Sequence, residues 1–300
     1  MNKTRIMIIG SNGMLGQRLV EFFDKAENTI LYCCSAEDES FIPSVDYSKI
    51  DIANTKDVKK IVRDFYPDFI INAAAYTNVD GCETNREIAW KINATGVENI
   101  AHHAIISDAH VIHVSTDYVF DGKNGPYTEA DEVNPISYYG RSKLAAENVL
   151  KSSRIKHTII RTNVLYGPAK YGRPDFVKWV VTSLQQKNQI RIVTDQINNP
   201  TYLDDLVNGF AKVIYYKKCG LFNMGGEEFL SRFEFTKRIA KYFNLDESLI
   251  IPIQTRDLNQ PAPRPLKSGL INLKATVELD YKPRKLEETF KLMNEELNLV

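Results

Sequence analysis

Tyr139 and Lys143 are the residues of this chain best suited to chemistry, because they stand four positions apart in a helix-like segment. That spacing places both side chains on one face of a helix. A tyrosine has an ordinary pKa near ~10, and a neighbouring ammonium lowers that pKa toward neutrality by favouring the anion. The pair therefore indicates a proton donor for a ketone that receives a hydride at carbon.

A hydroxyl group is available at the end of an earlier apolar run, where Ser115 and Thr116 stand. Such a strand-end hydroxyl can hydrogen-bond a substrate carbonyl and fix its position, and Lys143 can also reach the ribose of a nicotinamide cofactor. Tyr138 is a rival acid, but its spacing from Lys143 turns it toward another part of the helix surface. We therefore expect Tyr139 to donate the proton, and Tyr138 to contact the core or the substrate.

A glycine-rich turn near the start of the chain predicts where the cofactor binds. Gly10, Gly13 and Gly16 have GxxGxxG spacing. They lie between the short apolar strand Arg5–Ile9 and a helical segment, so they can allow a tight turn, a close approach to pyrophosphate, and close helix packing. The helix N-terminus adds N–H groups and a partial positive charge. We expect a dinucleotide here, held by Gly10, Asn12 and Gly13.

The end of the second strand leaves the choice between NAD and NADP open. An acidic residue there favours NAD by bonding the ribose hydroxyls, whereas a basic residue favours NADP. The chain has Cys33, Cys34 and Ser35 at this place, and Glu37 and Asp38 follow slightly late. Those two acids fit a solvated loop as well as a cofactor contact, so either NADP(H) or NAD(H) is expected.

Apolar strands alternate with amphipathic helices through the first half of the chain. Ile6–Ile9 and Phe69–Asn72 are apolar almost throughout, which is typical of strands buried on both faces of a sheet. Strand, helix and strand repeat four or five times. This rhythm predicts a doubly wound, Rossmann-type α/β fold with a parallel sheet and helices on both faces.

The rhythm breaks after about Asn163, where glycines and prolines mark loops. We expect a dinucleotide-binding domain over residues 1–163 and mainly a smaller C-terminal substrate-binding lid over 164–300. The segment at about 200–217 is expected to return and pack on the first domain. Arg264 follows a proline-rich stretch, and its guanidinium can bind a diphosphate bidentately, although an exposed loop arginine is the alternative.

The composition excludes several functional classes. The chain has 38 basic and 38 acidic residues, so we expect neither nucleic acid nor an anionic membrane as a partner. No apolar stretch approaches the ~20 residues of a membrane span, and no signal-peptide core precedes the first strand. The four cysteines lack CxxC spacing, which favours reduced thiols in a cytoplasmic protein.

The histidines do not indicate a metal site. His102 and His103 lie in a helical segment, and His110 and His113 flank a strand. They lack the clustered carboxylate or cysteine partners of a zinc site, so structural roles are expected. Mg²⁺ stays an open alternative as an additional cofactor, and nothing in the sequence indicates it.

Several segments together resemble the extended short-chain dehydrogenase/reductases, and more narrowly the dTDP-4-dehydrorhamnose reductase family. The resemblance covers essentially the full length of the chain. Its most specific carriers are PDFIINAAAYTNVD, from Pro67 to Asp80, and STDYVFDG, from Ser115 to Gly122. The other carriers are Gly10–Gly16, Tyr139–Lys143, Asp195-Gln196, Pro200-Thr201 and Arg264-Pro265.

The resemblance implies an enzyme of polysaccharide biosynthesis. The reaction implied is hydride transfer from NAD(P)H to the C4 ketone of a nucleotide-linked deoxysugar, converting dTDP-4-dehydro-L-rhamnose into dTDP-L-rhamnose. It implies Thr116, Tyr139 and Lys143 as a catalytic triad, the last two also contacting the cofactor. Thr116 and Asp117 are implied to contact the sugar. The implied cofactor-binding residues are Gly13, Met14, Leu15, Asp51, Ile52, Ala73, Ala74 and Ala75, with Asp51 and Ile52 near the adenine.

The chain departs from the family pattern beside the sugar site. The family usually has Ser-Trp after the Arg-Thr pair, with the Trp at the sugar, and this chain has Asn163 and Val164 there. Asn198-Asn199 likewise replaces a glycine-containing turn. We expect Asn163 and Val164 to contact the substrate, and the particular sugar stays open.

Two alternative functions remain at this point. A sugar-nucleotide epimerase has the same fold and Tyr/Lys pair but returns the hydride to a tightly bound NAD. The related dehydratases carry Thr-Asp-Glu, and Tyr118 at the glutamate position disfavours water loss. The second alternative is a non-catalytic regulatory subunit resembling that of methionine adenosyltransferase, although the intact triad favours an enzyme.

The expected partners are a nucleotide-sugar substrate and a second copy of the chain. Two long helical segments are predicted, Glu83–Ile105 and Asn134–Lys151. These could pair across a two-fold axis, as in many relatives, and this predicts a homodimer.

Overall fold

The carboxyl ends of the strands position the site. The computed structural model describes residues 3–300; Met1 and Asn2, at the start of the predicted first domain, lie outside the described residues. The strands are β1 (Thr4–Ile9), β2 (Thr29–Ser35), β3 (Tyr47–Lys49), β4 (Phe69–Asn72), β5 (His110–Thr116), β6 (His157–Thr162), β7 (Leu165–Tyr166), β8 (Ile190–Val193), β9 (Ile197–Asn198), β10 (Thr201–Tyr202), β11 (Gly220–Asn223), β12 (Leu230–Ser231) and β13 (Ile250–Ile253).

Helices connect most of these strands. None of those found within residues 3–300 is long and apolar enough to cross a membrane. They are α1 (Met14–Asp24), α2 (Thr55–Phe65), α3 (Val79–Thr84), α4 (Arg86–Trp90), α5 (Gly96–Ala104), α6 (Tyr138–Ser152), α7 (Phe176–Gln185), α8 (Leu203–Tyr216), α9 (Arg232–Tyr242), α10 (Leu273–Leu279) and α11 (Leu286–Leu297).

Seven strands form one parallel sheet in the order β11-β6-β5-β4-β1-β2-β3. Ile8 of β1, for example, pairs with Cys33 of β2 on one side and with Ile71 of β4 on the other. The direction of winding therefore reverses at β1, and a crevice forms at the carboxyl ends of β1 and β4, where such folds bind their ligands. This order confirms the predicted doubly wound, Rossmann-type architecture.

Helices cover both faces of this sheet. On one face α1 and α8 bury Leu19 and Phe210, and on the other α2, α5 and α6 surround Val62. Cys33 and Cys34 are both fully buried because successive side chains of β2 point to opposite faces. Each large apolar side chain buried in this way contributes ~1.5–3 kcal/mol, so the sheet and its two helical layers form the rigid base of the site.

A layer of shorter strands and helices follows β6. β7 pairs with β10, β8 with β13 and β9 with β12, and α7, α9 and α11 pack around Phe235 and Phe290. The chain also crosses back, since α8 packs on α1 and β11 extends the large sheet beside β6. The predicted boundaries at 1–163 and 164–300, and the role of this layer in substrate binding, stay predictions.

The helix predicted over Glu83–Ile105 is interrupted. Asn85 has φ −122° and ψ 56°, which ends α3 before α4 begins. A π-helical turn at Lys91–Thr95 then separates α4 from α5. Hydrophobic periodicity does not reveal such breaks, because the apolar residues on either side of a break still face the same core.

Candidate active site

Three glycines shape the turn after β1. Gly10 has φ +84°, and a Cβ on it would lie 2.6 Å from the Ala74 nitrogen. A Cβ on Gly16 would lie 2.0 Å from the Gly10 carbonyl oxygen, so only glycine lets α1 pack this closely. Gly13 stands at the N-cap of α1 and makes no side-chain cap, which leaves helix N–H groups facing the crevice. This cradle fits the pyrophosphate of a dinucleotide.

A cavity of about 240 Å³ lies beside this turn. Isoleucines and alanines make much of its wall, which suits the flat, largely apolar surface of an adenine ring. The residues that the sequence predicted to bind the cofactor and that line this cavity are Gly10, Gly13, Asp51, Ile52, Ala73, Ala74 and Ala75. Their assignment to the cofactor stays a prediction.

Asn12 ties the glycine turn to the loop that follows β2. Its side-chain amide donates to the Glu37 carboxylate at 3.2 Å and to the Glu39 carbonyl at 2.9 Å. Glu37 is thereby held at the edge of the 240 Å³ cavity. Among the described residues that line this cavity, the charged side chains are Glu37 and Asp51, and both are acidic.

Replacing Glu37 by arginine is expected to raise the affinity for NADPH relative to NADH by roughly tenfold, because a guanidinium binds a 2′-phosphate that a carboxylate repels. Dissociation constants of both reduced cofactors, from nicotinamide fluorescence, measure the ratio. Asp38→Asn is the matched control, since Asp38 is exposed and paired with Lys49 at 2.8 Å. If the ratio of the two dissociation constants were unchanged in Glu37→Arg, the adenosine ribose of the cofactor would not bind beside residue 37.

A second cavity, of about 450 Å³, opens at the carboxyl ends of β4, β5 and β6. Residues from widely separated segments of the chain meet there, next to the start of α1. The predicted site residues that line it are Gly13, Met14, Leu15, Ala73, Ala75, Thr116, Asp117, Tyr139, Lys143, Asn163 and Val164. No cluster of three or more His, Cys, Asp or Glu side chains in the described chain could hold a metal ion.

Tyr139 reaches this cavity from the first turn of α6. The helix was predicted to begin at Asn134, but it begins at Tyr138. The Ser137 hydroxyl accepts a hydrogen bond from the Gly140 N–H at 3.1 Å and caps the helix there. The cap fixes the height at which the phenol ring enters the cavity.

The pKa of Tyr139 lies above its ordinary value and not, as the sequence predicted, nearer to neutrality. Burial is the main cause, the charge of Asp117 adds to it, and a hydrogen bond with Thr116 acts in the opposite direction. Burial outweighs the predicted effect of Lys143, whose Nζ donates to the Val114 carbonyl of β5. Tyr139 is therefore a protonated phenol at neutral pH, as a proton donor must be.

Lys143 lies at the base of the cavity, with 2% of its surface exposed. Its Nζ donates to the Val114 carbonyl at 2.6 Å and lies 3.2 Å from Nε2 of His113. Burial lowers the pKa of Lys143 to about 8, while the Glu147 carboxylate acts in the opposite direction. The side chain is therefore mostly an ammonium at neutral pH.

Thr116 and Asp117 form the wall of the cavity at the end of β5. The Thr116 hydroxyl donates to Asp117 at 3.0 Å, and the Ser268 hydroxyl donates to the other carboxylate oxygen. Burial raises the pKa of Asp117 to about 6 against these hydrogen bonds. Tyr118 packs edge-on against Tyr139, with ring centroids 5.6 Å apart, so an aromatic ring occupies the place of the dehydratase glutamate.

Asn163 is held by a buried network. Its amide donates to Asn199 at 2.6 Å, and its oxygen accepts from the Thr201 hydroxyl at 2.9 Å. The two departures from the family pattern, at 163 and at 198–199, therefore contact each other. Val164 lines both the 450 Å³ cavity and a neighbouring one, so this small side chain stands at the boundary between them.

The neighbouring cavity, of about 440 Å³, contains residues that the sequence did not single out as functional. Phe176 and Trp179 contribute aromatic surface, and Trp179 is 42% exposed. The Arg232 guanidinium lies 4.6 Å from the Phe176 ring centroid. Within residues 3–300 this guanidinium has no hydrogen-bonded or ion-paired partner.

Arg264 is not among the residues that line either of these cavities. Its guanidinium donates to the two carboxylate oxygens of Asp80 at 2.6 and 2.8 Å. A diphosphate would have to displace Asp80 from this bidentate pair. Binding of the diphosphate by Arg264 stays a prediction. Arg232 does not have to break an ion pair within the described residues before it binds a phosphate.

The π-helical turn after α4 places Asn93 between two parts of the site. Its side-chain oxygen accepts from the Tyr76 N–H at 2.7 Å, and its amide donates to the Ser142 hydroxyl at 3.0 Å. Asn93 thus connects the segment after β4 to α6, one residue before Lys143. No local pattern in the sequence indicates this contact, because π-turns leave helical spacing nearly unchanged.

Comparison with known proteins gives one consistent family. Residues 4–299 match the RmlD substrate binding domain family. The dTDP-4-dehydrorhamnose reductase of Aggregatibacter actinomycetemcomitans is 34% identical over 279 residues, covering 89% of this chain and 90% of that protein. The spore coat polysaccharide biosynthesis protein SpsK of Bacillus subtilis is 30% identical over 289 residues, covering 96% of each.

Solved structures show the same likeness. A dTDP-4-dehydrorhamnose reductase from Clostridium acetobutylicum has a TM-score of 0.89 at 34% identity, covering 98% of this chain and 100% of that one. The enzyme from Bacillus anthracis, in complex with NADP, has a TM-score of 0.89 at 33% identity, covering 98% and 99%. The dTDP-glucose 4,6-dehydratase DesIV, at 20% identity and a TM-score of 0.84, shows a likeness of fold alone.

Proposed function

The chain belongs to the RmlD substrate binding domain family, and we propose from this that it is an NAD(P)H-dependent oxidoreductase acting on a nucleotide sugar. It reduces the C4 ketone of dTDP-4-dehydro-L-rhamnose to give dTDP-L-rhamnose. The sugar serves polysaccharide synthesis, as the names of the relatives indicate. The NADP complex of the Bacillus anthracis enzyme supports the cofactor.

One observation carries this proposal. A single cavity joins the start of α1, where the glycine turn offers N–H groups, to Thr116, Tyr139 and Lys143. A bound nicotinamide and a keto-sugar can therefore meet in front of a protonated phenol. Hydride transfer and proton transfer require this proximity.

The reaction balances with one hydride and one proton. The cofactor, when bound, supplies the hydride that forms the new C–H bond at C4. The Tyr139 hydroxyl donates its proton to the C4 oxygen, which becomes the alcohol. The Thr116 hydroxyl exchanges its acceptor, Asp117, for the same C4 oxygen and donates a hydrogen bond to it. The Lys143 ammonium stabilises the negative charge left on the tyrosine oxygen, which burial alone disfavours.

The 440 Å³ cavity is suited to the nucleoside diphosphate. Trp179 and Phe176 offer faces for a base, and the Arg232 guanidinium offers a bidentate donor for phosphate oxygens. Val164 joins this cavity to the one that holds Tyr139, so the sugar can lie between them. The predicted sugar contacts of Asp117, Asn163 and Val164 are part of this proposal.

Replacing Arg232 by alanine is expected to raise KM for the dTDP-sugar by roughly ten- to a hundredfold, with a smaller change in kcat, because a phosphate contact is lost in ground state and transition state alike. Steady-state kinetics at saturating cofactor measure both constants. Arg238→Ala is the matched control, since Arg238 lies on the same helix but pairs with Glu287. If the Arg232 substitution left KM unchanged, the diphosphate would have to bind another cation. Arg264 would be the next residue to replace.

The activity itself is tested with purified protein, dTDP-4-dehydro-L-rhamnose and each reduced cofactor, following nicotinamide absorbance and the sugar product. Net consumption of NADH or NADPH with formation of dTDP-L-rhamnose supports the proposal. Stoichiometric bound NAD without net consumption would instead indicate an epimerase. Absence of turnover together with capture of a methionine adenosyltransferase would indicate a regulatory subunit.

We further propose that the protein forms a homodimer. α4 exposes Ile88 and Trp90, and Tyr138 at the start of α6 lies 6.3 Å from the Trp90 ring, so this side of the sheet carries adjacent apolar surface. Pairing of two copies would remove that surface from water. Sedimentation that shows only a monomer would contradict the dimer.

A further inference from the structure

Two fully buried polar side chains, Asn72 and His113, lie beneath Lys143 and take no part in the steps above. They stand opposite each other on adjacent strands, since Asn72 of β4 pairs in register with His113 of β5. Nδ2 of Asn72 lies 3.1 Å from Nδ1 of the imidazole, and Nε2 lies 3.2 Å from Nζ of Lys143. The sequence had predicted only a structural role for His113.

The hydrogen-bond donors and acceptors around His113 determine which of its ring nitrogens carries the proton. An ammonium can only donate, and Lys143 already donates to the Val114 carbonyl at 2.6 Å, a short contact typical of a charged donor. Nε2 of His113 must then accept a second hydrogen from Lys143, which places the ring proton on Nδ1. The Asn72 amide must then turn its oxygen to that proton, which gives up the 3.2 Å hydrogen bond that this oxygen accepts from the Ala74 N–H and leaves that N–H at the 240 Å³ cavity. The exchange removes the donor–donor contact that either ring tautomer would otherwise make, with the ammonium or with the amide, for one long hydrogen bond.

His113 can accept this hydrogen bond because it stays neutral. Burial lowers the pKa of His113 well below its ordinary value, and the charge of Lys143 lowers it further. The imidazole therefore keeps one free lone pair throughout the neutral pH range.

The charged groups around Lys143 do not replace this contact. Glu147, one turn further along α6, has both carboxylate oxygens bound by Arg161 of β6, at 2.8 and 2.7 Å. Asp117, at the end of β5, acts on Tyr139 from the cavity side. His113 is thus the side chain that can accept directly from the ammonium beneath the cavity.

We infer that His113 is a positioning residue for the reduction, which holds the Lys143 ammonium beneath the cavity by accepting one of its hydrogen bonds. With Val114 accepting another, the third N–H of Lys143 is left for the cavity that Tyr139 also lines. The inference rests on the proposed function, because it concerns the same site. Removal of His113 leaves a buried ammonium with one partner fewer, which favours the neutral amine.

His113→Phe and His113→Gln separate this role from mere packing. Phenylalanine keeps a ring of similar size without a nitrogen, whereas glutamine brings an oxygen that can accept from Lys143. His110→Phe is the matched control, because His110 is also buried in β5 but contacts the Thr158 hydroxyl at 2.8 Å. His113→Met, a flexible apolar replacement, serves in the same comparison if His113→Phe does not fold.

The first readout is the pH profile of kcat/KM for the keto-sugar. The reaction needs the ammonium, so activity falls as pH rises through the pKa of Lys143, about 8 in the unaltered protein. In His113→Phe we expect kcat/KM about tenfold lower at neutral pH. We also expect the basic limb of the profile, the fall in activity at high pH, to have its midpoint about one pH unit lower. His113→Gln is expected to restore both, and His110→Phe to leave the limb in place.

The second readout does not depend on turnover. An NMR titration of lysine side chains, with Lys143 assigned through Lys143→Arg, measures its pKa in each variant. A lower pKa in folded His113→Phe, restored in His113→Gln, supports the inference, and an unchanged pKa with an unchanged basic limb overturns it. Failure of the unaltered protein to reduce the sugar would overturn the proposed function, while the titration still decides the role of His113.

Discussion

Tyr139→Phe is expected to lower the turnover of dTDP-4-dehydro-L-rhamnose by about three orders of magnitude, because it removes the proton that the C4 oxygen must receive. The phenol is placed by the Ser137 cap and kept protonated by burial, so no rearrangement is needed before transfer. The ring itself remains, and cofactor affinity and thermal stability should be unchanged. Single-turnover kinetics at saturating cofactor measure the loss.

Tyr138→Phe is the matched control for this experiment. Tyr138 is the neighbouring tyrosine on α6, and Arg86 lies 5.2 Å from its ring centroid. Removing its hydroxyl should leave turnover within about twofold, as expected for a residue outside the chemistry. A large loss in Tyr138→Phe together with near-normal rates in Tyr139→Phe would exchange their roles.

Glu147→Leu is expected to destabilise the fold by about 3–5 kcal/mol, because it strands the buried guanidinium of Arg161. Glu147 is fully buried, accepts two hydrogen bonds from Arg161, and accepts another from the Ser115 hydroxyl at 2.7 Å. It thereby fastens α6 to β5 and β6 one turn beyond Lys143. Urea unfolding followed by circular dichroism measures the free energy of unfolding.

Acidification should weaken the same contact in the unaltered protein. Burial alone would raise the pKa of Glu147, but the hydrogen bonds and charge of Arg161 outweigh it and lower the pKa below its ordinary value. A lowered folded-state pKa means that the stabilisation is present above the unfolded value, near ~4.3, and is lost as pH falls through the folded value.

Lys151→Ala is the control for both measurements. Lys151 also contacts Glu147, at 3.0 Å, but its side chain is 42% exposed, so its removal should cost less than about 1 kcal/mol. Equal effects of Glu147→Leu and Lys151→Ala would show that the buried pair with Arg161 contributes little.

The sequence predicted the large sheet and the phosphate turn because their signals are local. Continuous apolar runs such as Ile6–Ile9 identify strands buried on both faces, and the glycines at 10, 13 and 16 have a fixed place between strand and helix. The pairing of Tyr139 with Lys143 was predictable because residues four apart lie on the same face of a helix. In each of these cases the residues that cooperate are close in sequence, so spacing alone carries the information.

Other parts of the site depend on contacts that spacing does not encode. Arg232 meets Phe176 only because α9 packs beside α7, and His113 meets Lys143 only because α6 lies over β5. The pKa of Tyr139 moved opposite to expectation for the same reason, since burial outweighs the predicted effect of Lys143. Burial and tertiary hydrogen bonds set these features, and both arise only after folding.

We expect this chain to deliver a hydride to C4 of a dTDP-linked sugar while Tyr139 delivers the proton. The most direct test is one incubation of the protein with dTDP-4-dehydro-L-rhamnose and a reduced cofactor that carries deuterium at the transferable position. We predict dTDP-L-rhamnose with deuterium at C4 of the hexose, in amounts equal to the cofactor oxidised. A sugar product without that label, or label that remains on the cofactor, would show that the chain does not transfer the hydride to C4.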